Sequence, residues 1–230
     1  MKTLLRTMYT QVKRLQEGRL LEARTQAAQE RIRRFSPPYR FNIGSGKVHF
    51  DGWVNLDLDM VDGITDIQWD ATQPFPFSDG SCEIIYNEHF LEHITVPQAV
   101  SFLRECRRLL IPGGTLRIAM PSLEDILHQY YSETWKEQEW LTWEENKGIQ
   151  TRAEMVNVSM RWWGHQWIYD REELHRRLKE AGFSQIRNAE WGLSGHPELC
   201  GRETRHESRL ICEASTTTYC EVSFVGCLPS

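Results

Sequence analysis

The segment Phe41-Asn42-Ile43-Gly44-Ser45-Gly46-Lys47 places two glycines directly after a short apolar run. Glycine accepts backbone torsions closed to other residues, so G-x-G after a strand makes a tight turn that a ligand can approach closely. Many loops contain that pattern; its neighbours narrow the reading. The next apolar run closes in Asn55-Leu56-Asp57-Leu58-Asp59. A carboxylate at that place can accept both hydroxyls of a ribose, and Asp57 and Asp59 both meet the spacing. The third run ends at Asp70-Ala71, a second acid able to accept from an exocyclic amine. Three strand ends bearing such groups, in order, match the edge at which open α/β sheets bind ligands. A dinucleotide is not indicated. His49 stands where the third glycine would be, and eight residues between Gly46 and Asn55 are too few for a crossover helix facing a pyrophosphate. A nucleoside without a pyrophosphate fits the shortened loop.

A second constellation is His89-Phe90-Leu91-Glu92-His93. H-x-x-E-H can place two imidazoles and a carboxylate on one helix face around zinc. Here it follows a buried strand of a ligand-binding sheet, so no metal is expected. Glu92 and His93 are read as packing and hydrogen-bonding residues of a helix. Candidates for a proton acceptor are His165, His89, Glu88 and Asp170. His165 is the first choice, because Trp162-Trp163-Gly164-His165 should fold over the strand tips; a histidine among tryptophans can equally be a packed residue. Six of the nine tryptophans fall in residues 122–168. They could stack on a sugar or planar ring, or form the core of a small helical cap.

These residues need a frame. Strands are expected near Arg40–Ile43, Trp53–Leu58, Asp66–Trp69, Cys82–Tyr86, Thr115–Ala119, Phe183–Trp191 and Ser208–Glu213. A helix should start at the Thr95/Gln98 capping box and bury Val96, Ala99, Val100, Leu103, Cys106 and Leu110, until Pro112-Gly113-Gly114 stops it. Another should start at Asp170 with Glu173 and stop at Gly182. Strands alternating with helices imply a mostly parallel sheet covered on both faces. Residues 3–34 read as one helix with an imperfect stripe of Leu4, Leu5, Met8, Val12, Leu15 and Ile32, ended by Pro37-Pro38. The expected organisation is a basic helix over 1–38, a ligand-binding domain over 39–214 with a tryptophan-rich helical insertion at about 122–168, and a flexible tail over 215–230.

At 230 residues and 27.1 kDa, the chain suits one domain with a modest extension. Its 40% hydrophobic and 26% charged residues exclude general disorder. No apolar run reaches the ~20 residues of a membrane-spanning helix, and the opening residues are charged too early for a secretory segment. Glu17, Glu22 and Glu30 count against a mitochondrial presequence. Residues 1–40 hold ten Lys/Arg against three acids, so a net charge of −5 leaves −12 on the remainder. That argues against a wholly basic nucleic-acid binder, although the arm could touch an anionic partner. None of the six cysteines forms C-x-x-C, and they read as reduced thiols of a cytoplasmic protein.

The runs FNIGSGKVHFDGWVNLDLD, DATQPFPFSDGSCEIIYNEHFLEHI and ECRRLLIPGGTLRIAMPSLEDI together resemble the core of class I S-adenosylmethionine-dependent methyltransferases. They are similar to the small bacterial-type members (methyltransferase type 11-like) that carry LEH and LxPGG signatures. WWGHQWIYDREELHRRLKEAGF resembles the carboxy-terminal half of that group. The resemblance implies a Rossmann-like, doubly wound α/β sheet of seven mostly parallel strands, an antiparallel last strand and helices on both faces. It implies S-adenosyl-L-methionine as cofactor. Gly44 and Gly46, with Asn42 and Ser45 of the same loop, would face its methionine and ribose part. Asp57, with Leu58 beside it, would hold the ribose hydroxyls, Asp70 and the backbone of Ala71 the adenine, and Asn87 would lie near the methionine moiety. The chain departs from the family at Asn42, where an acid is usual.

The implied reaction moves a methyl group to an oxygen or nitrogen of a small polar metabolite, a sugar among the candidates. Most of the rate would come from holding the acceptor about 3 Å from the methyl carbon, and a hydroxyl acceptor would need a base such as His165 or His89. Two alternatives are a catalytically silent binding protein and an RNA or protein methyltransferase docking through the basic helix. Asn87-Glu88-His89-Phe90 lacks the Asn/Asp-Pro-Pro-Tyr/Phe signature of nucleic-acid amino methylation.

Overall fold

The computed structural model describes residues 2–216. Seven strands form one sheet: β1 (Tyr39–Ile43), β2 (Val54–Asp57), β3 (Ile67–Gln68), β4 (Cys82–Glu88), β5 (Leu110–Met120), β6 (Gln185–Asn188) and β7 (Leu210–Ser215). Their order in space is β3-β2-β1-β4-β5-β7-β6. Strands β1 to β5 run parallel, and β7 lies antiparallel to both β5 and β6. The connection changes direction between β1 and β4, and at such a switch point the loops on the carboxyl edge part to leave a crevice. Among the described residues, five α-helices accompany the sheet: α1 (Lys2–Ile32), α2 (Val96–Leu109), α3 (Leu123–Tyr131), α4 (Arg152–Arg161) and α5 (Arg171–Glu180).

The helix ends follow local chemistry. The Gln98 side chain accepts from the Thr95 backbone N–H at 3.0 Å, so α2 begins at Val96. Its buried face is Ala99, Val100, Phe102, Leu103, Cys106 and Leu109. Asp170 caps α5 by accepting from the Glu173 N–H at 2.8 Å, and Gly182, at φ +97°, lets the chain turn away. Helix α1 reaches the core through Ala28 and Ile32. The Arg31 guanidinium donates to the Asp66 carbonyl at 3.0 Å and ties the helix to the approach of β3.

Several expectations need correction. Pro112-Gly113-Gly114 does not break the chain but lies within β5. Cys82 pairs with Leu110 and Ile84 with Thr115, so the residues between bulge out of the ladder and the strand continues. Helix α1 ends at Ile32, before Pro37-Pro38. The tryptophans divide: Trp135 and Trp140 pack with Leu141, Met155 and Val158 in a small core of their own, whereas Trp143, Trp162, Trp163 and Trp167 are exposed. Cys82, Cys106 and Cys212 are free and buried. Cys200 is disulfide-bonded, against the expectation of reduced thiols throughout. Ser215, expected in the tail, completes β7; the rest of that expectation, from residue 217 onward, lies outside the described residues. Among the described residues, no helix is long and apolar enough to cross a membrane.

One buried ion cluster joins the two halves of the sheet. Arg117 of β5 is fully buried and faces Glu213, its antiparallel partner on β7. Its guanidinium donates to Glu203 and to Glu213, both at 2.6 Å, and to the carbonyls of Leu193 and Glu190 at 3.0 and 3.1 Å. Burial pushes the Glu213 carboxyl up, but the Ser194 hydroxyl and the Arg117 and Arg187 guanidinium groups outweigh it and hold the group below the usual carboxylate range. A carboxylate depressed in the folded state adds stability that is complete above its unfolded pKa of about 4.3 and is lost as pH falls through the folded value. Arg117→Leu should therefore cost about 3–5 kcal/mol at pH 7, because it strands buried charge. Urea unfolding would measure that loss, and the difference between variant and wild type should shrink as the pH falls below about 4.

Candidate functional site

The glycine loop is built by a hydrogen-bond hub. Asn55 of β2 is fully buried; its side-chain oxygen accepts from the Phe50 N–H at 2.9 Å and from the Asn42 amide at 3.0 Å. Its own amide donates to Asp66 at 2.9 Å and to the Phe50 carbonyl at 3.1 Å. Asn42 also donates to the Val48 carbonyl at 3.1 Å. Both Asn42 bonds require a donor, which an ionised acid lacks, and this accounts for asparagine at that position. The loop then crosses to β2: the Gly44 and Ser45 N–H groups donate to the Leu56 carbonyl at 2.9 and 3.0 Å, and the Gly46 N–H donates to Asp57 at 2.8 Å.

Asp57 is the last residue of β2 and its other oxygen accepts from the Asp59 N–H at 3.0 Å. The register thus sets Asp57 against the glycine loop and leaves Asp59 beyond it. Asp70 lies two residues past β3, where one carboxylate oxygen caps a turn by accepting from the Thr72 N–H and hydroxyl at 2.9 and 2.7 Å. Leu58 is exposed and Ala71 buried. Asn87, expected just after β4, lies inside it and is fully buried. Neither of its amide atoms, nor the Ser45 hydroxyl, has a hydrogen-bond partner among the described residues. Buried polar groups are seldom left unpaired, so these atoms fit a bound molecule with complementary polar groups.

Next along the same edge, past β4 and β5, a cavity of about 760 Å³ opens. His89, His93, Ser122, Trp140, Trp163 and His165 are among its lining residues. Two backbone anchors make its walls. Glu88 at the end of β4 accepts from the Thr204 N–H and hydroxyl, the Arg205 N–H and the Ser208 hydroxyl at 2.7–3.1 Å, which draws residues 204–208 over the edge. The Gln166 and Trp167 N–H groups donate to the Glu92 carbonyl at 2.8 and 3.2 Å, which lays the segment containing His165 onto His89–His93. That motif occupies a bend and a single 3-10 turn at Leu91–His93, not the regular helix expected. Among the described residues, His89 (φ +50°) and Trp163 (φ +59°) are the non-glycine residues with positive φ, and both line this cavity. Backbone held in that region costs about 1–3 kcal/mol and tends to gather at functional sites.

The family model described as a methyltransferase domain matches residues 53–118, from the approach to β2 into β5. That stretch holds Asp57, Asp70, Asn87 and the histidine motif, within the sheet order described above. The match identifies residues 53–118, about two sevenths of the chain, as similar to a methyltransferase domain. Comparison with the curated proteins gives no match. Among solved structures, a Bacillus halodurans protein assigned as a methyltransferase is 19% identical over 66% of this chain and 65% of its own, at a TM-score of 0.42. A SAM-dependent methyltransferase from Archaeoglobus fulgidus is 16% identical over 74% and 73%, at 0.45. The methyltransferase in the complex with the Haloferax volcanii Trm112 activator is 14% identical over 83% and 89%, at 0.44. The chain spans just under two thirds of the Bacillus protein.

Folding brings Asn42, Gly44, Ser45, Gly46 and Asp57 into one loop-and-tip assembly, with Asp70 just past β3 and Asn87 inside β4. His89 and His165 share the neighbouring cavity. Glu88 and Asp170 do not serve as free bases: the first anchors the 204–208 loop and the second caps α5. Sequence reading missed Glu88 as an anchor and the meeting of Glu92 with His165, because neither pairing has a local signal. Gly44→Ala would force a side chain at φ +71° and put its Cβ 3.2 Å from the Phe90 ring, whereas Gly46, at φ +55°, has nothing within 4 Å. Gly44→Ala should therefore lower the melting temperature more than Gly46→Ala, by about 1–3 kcal/mol in stability. Thermal denaturation of the two variants side by side checks this.

Proposed function

We propose that the chain transfers a methyl group from S-adenosylmethionine to an oxygen or nitrogen of a small polar metabolite held in the 760 Å³ cavity. The observation that carries the reading is the contact at 2.8 Å between Gly46, in the loop after β1, and Asp57, at the tip of the adjacent β2, beside a cavity that begins at His89. The glycine loop would receive the methionine and ribose portion, Asp57 the ribose hydroxyls, with Leu58 beside them, and Asp70 with the backbone of Ala71 the adenine. Asn87 and Ser45, buried and unpaired, would meet the polar groups of the methionine end.

Methyl transfer from a sulfonium removes positive charge at the reacting centre, so a site with little water favours it and placement supplies most of the rate. The cavity volume lies in the range of small-molecule sites. Its wall combines exposed aromatic area from Trp143 and Trp163 with charged groups from Arg205, Asp125 and Glu137. An aromatic face beside polar groups suits a sugar or another hydroxylated compound. For a hydroxyl acceptor, an imidazole can take the proton. His165 Nδ1 stands 2.7 Å from the Ser159 carbonyl, and as donor to it leaves Nε2 with a lone pair. His89 Nε2 has no partner among the described residues.

Calorimetric titration with S-adenosylhomocysteine tests the cofactor reading. Binding is expected, and Asp70→Ala should weaken it about ten-fold, the loss of one charge-assisted hydrogen bond. No heat at millimolar ligand would remove the proposal. Incubation with labelled S-adenosylmethionine and a metabolite extract should then label a small product. Cofactor binding with no labelled product would favour the silent binding protein instead.

A further inference from the structure

Methyl transfer in the cavity makes no use of the Glu92 side chain. Its side chain is 1% exposed, and neither carboxylate oxygen has a hydrogen-bond partner among the described residues. The nearest polar atoms are His89 Nδ1 at 3.5 Å and His93 Nε2 at 4.0 Å. A buried carboxylate without donors is expensive to hold, and proteins retain one where something cationic or protonating meets it. His165 arrives from 72 residues away, and one ligand atom each from Glu92, His93 and His165 lies within 4.8 Å of the others.

We propose that Glu92, His93 and His165 bind one divalent transition-metal ion of the zinc type, with an open coordination position facing the cavity. Three protein ligands and a free position are the arrangement of catalytic rather than structural zinc. The donor set is two imidazoles and one carboxylate, which suits zinc and its transition-metal neighbours; magnesium and calcium prefer oxygen alone. The outer contacts are those of oriented ligands. His165 Nδ1 is engaged by the Ser159 carbonyl at 2.7 Å. His93 turns Nδ1 toward Gly164, where an added Cβ would stand 3.7 Å away, and Nε2 toward Glu92. Backbone contacts of this kind fix ring orientation and leave the other nitrogen free for the ion. The Gln166 side chain donates to the His93 carbonyl at 2.8 Å and holds the two elements together.

His89 and His93 flank the carboxylate on one turn, but His89 lies outside the three-ligand group. With the ion bound, His165 is a ligand and His89 is left as the imidazole that can take a proton from an acceptor. An acceptor oxygen at the open position would be acidified as a metal-bound water is. The site stands on its own geometry and does not require the cofactor reading.

The test uses the full chain after dialysis against a chelator, with neither cofactor nor acceptor present. Calorimetry with Zn²⁺ and electronic absorption with Co²⁺ should both give one equivalent, with the visible bands of a nitrogen-and-oxygen site for cobalt. His165→Ala, at a half-buried position, should weaken binding about a hundred-fold. Glu92→Gln should weaken it comparably while the metal-free protein melts no lower than wild type, since the change removes an unpaired buried acid. Mg²⁺ should not compete. Absence of Zn²⁺ binding at millimolar metal, binding that His165→Ala leaves unchanged, or competition by Mg²⁺ would each overturn the proposal. Because S-adenosylhomocysteine binding is measured separately, failure here leaves the cofactor reading standing, and the reverse.

Discussion

The fold depends on a charge placed in the middle of a sheet. Arg117 sits fully buried on a central strand, and it is tolerable there because Glu213 stands opposite it on β7 and Glu203 reaches in from the connection between β6 and β7. Removing one partner of such a cluster strands the others, so the three residues are kept or lost together. Their geometry also dictates chain course. Residues 190–213 must return across β5 to deliver both acids, and in doing so they bring Thr204, Arg205 and Ser208 within reach of Glu88. The wall of the cavity is thus a consequence of satisfying buried charge.

A second constraint is the parallel edge. Five neighbouring strands present their carboxyl ends together, and every loop there has to turn sharply to re-enter the sheet. The connection from Ile43 to Val54 contains no helix, so the Asn42–Asn55 hub does the work of a crossover element. That rigidity matters for a cofactor site, because positions held by fully paired side chains lose little entropy on binding. Flexible loops of the same composition would have to be ordered by the ligand. The cavity side is organised differently: it is laced by backbone contacts to Glu92 and by strained torsions at His89 and Trp163. One half of the site is preformed by hydrogen bonding, the other is held under strain.

The elements were legible where periodicity or a cap was strong. Helix α2 carries a capping box and an apolar face, so it starts where expected, although it ends at Leu109, three residues before Pro112, and gives Leu110 to β5. Helix α5 is framed by Asp170 and Gly182 in the same way. The sequence misleads where a local stop signal is overruled by pairing: Pro112-Gly113-Gly114 reads as a break, yet β4 and β7 hold β5 extended on either side of the bulge. It also misleads where residue type leaves the environment open. Six clustered tryptophans are compatible with a core or with a binding face, and the fold makes some of each.

Residue types and spacings alone determined the parallel frame, the glycine turn and the acids at the strand tips, because these are short-range properties: a torsion only glycine tolerates, a carboxylate at a strand end, an apolar period. Asp57 against Asp59 was left to pairing register, which depends on a neighbouring strand. The encounter of Glu92 with His165, the engagement of Glu88 by the 204–208 loop and the burial of Arg117 between two acids were decided by tertiary structure. Each joins side chains more than seventy residues apart. No local pattern encodes such an encounter; it exists once the sheet has fixed where the chain must return.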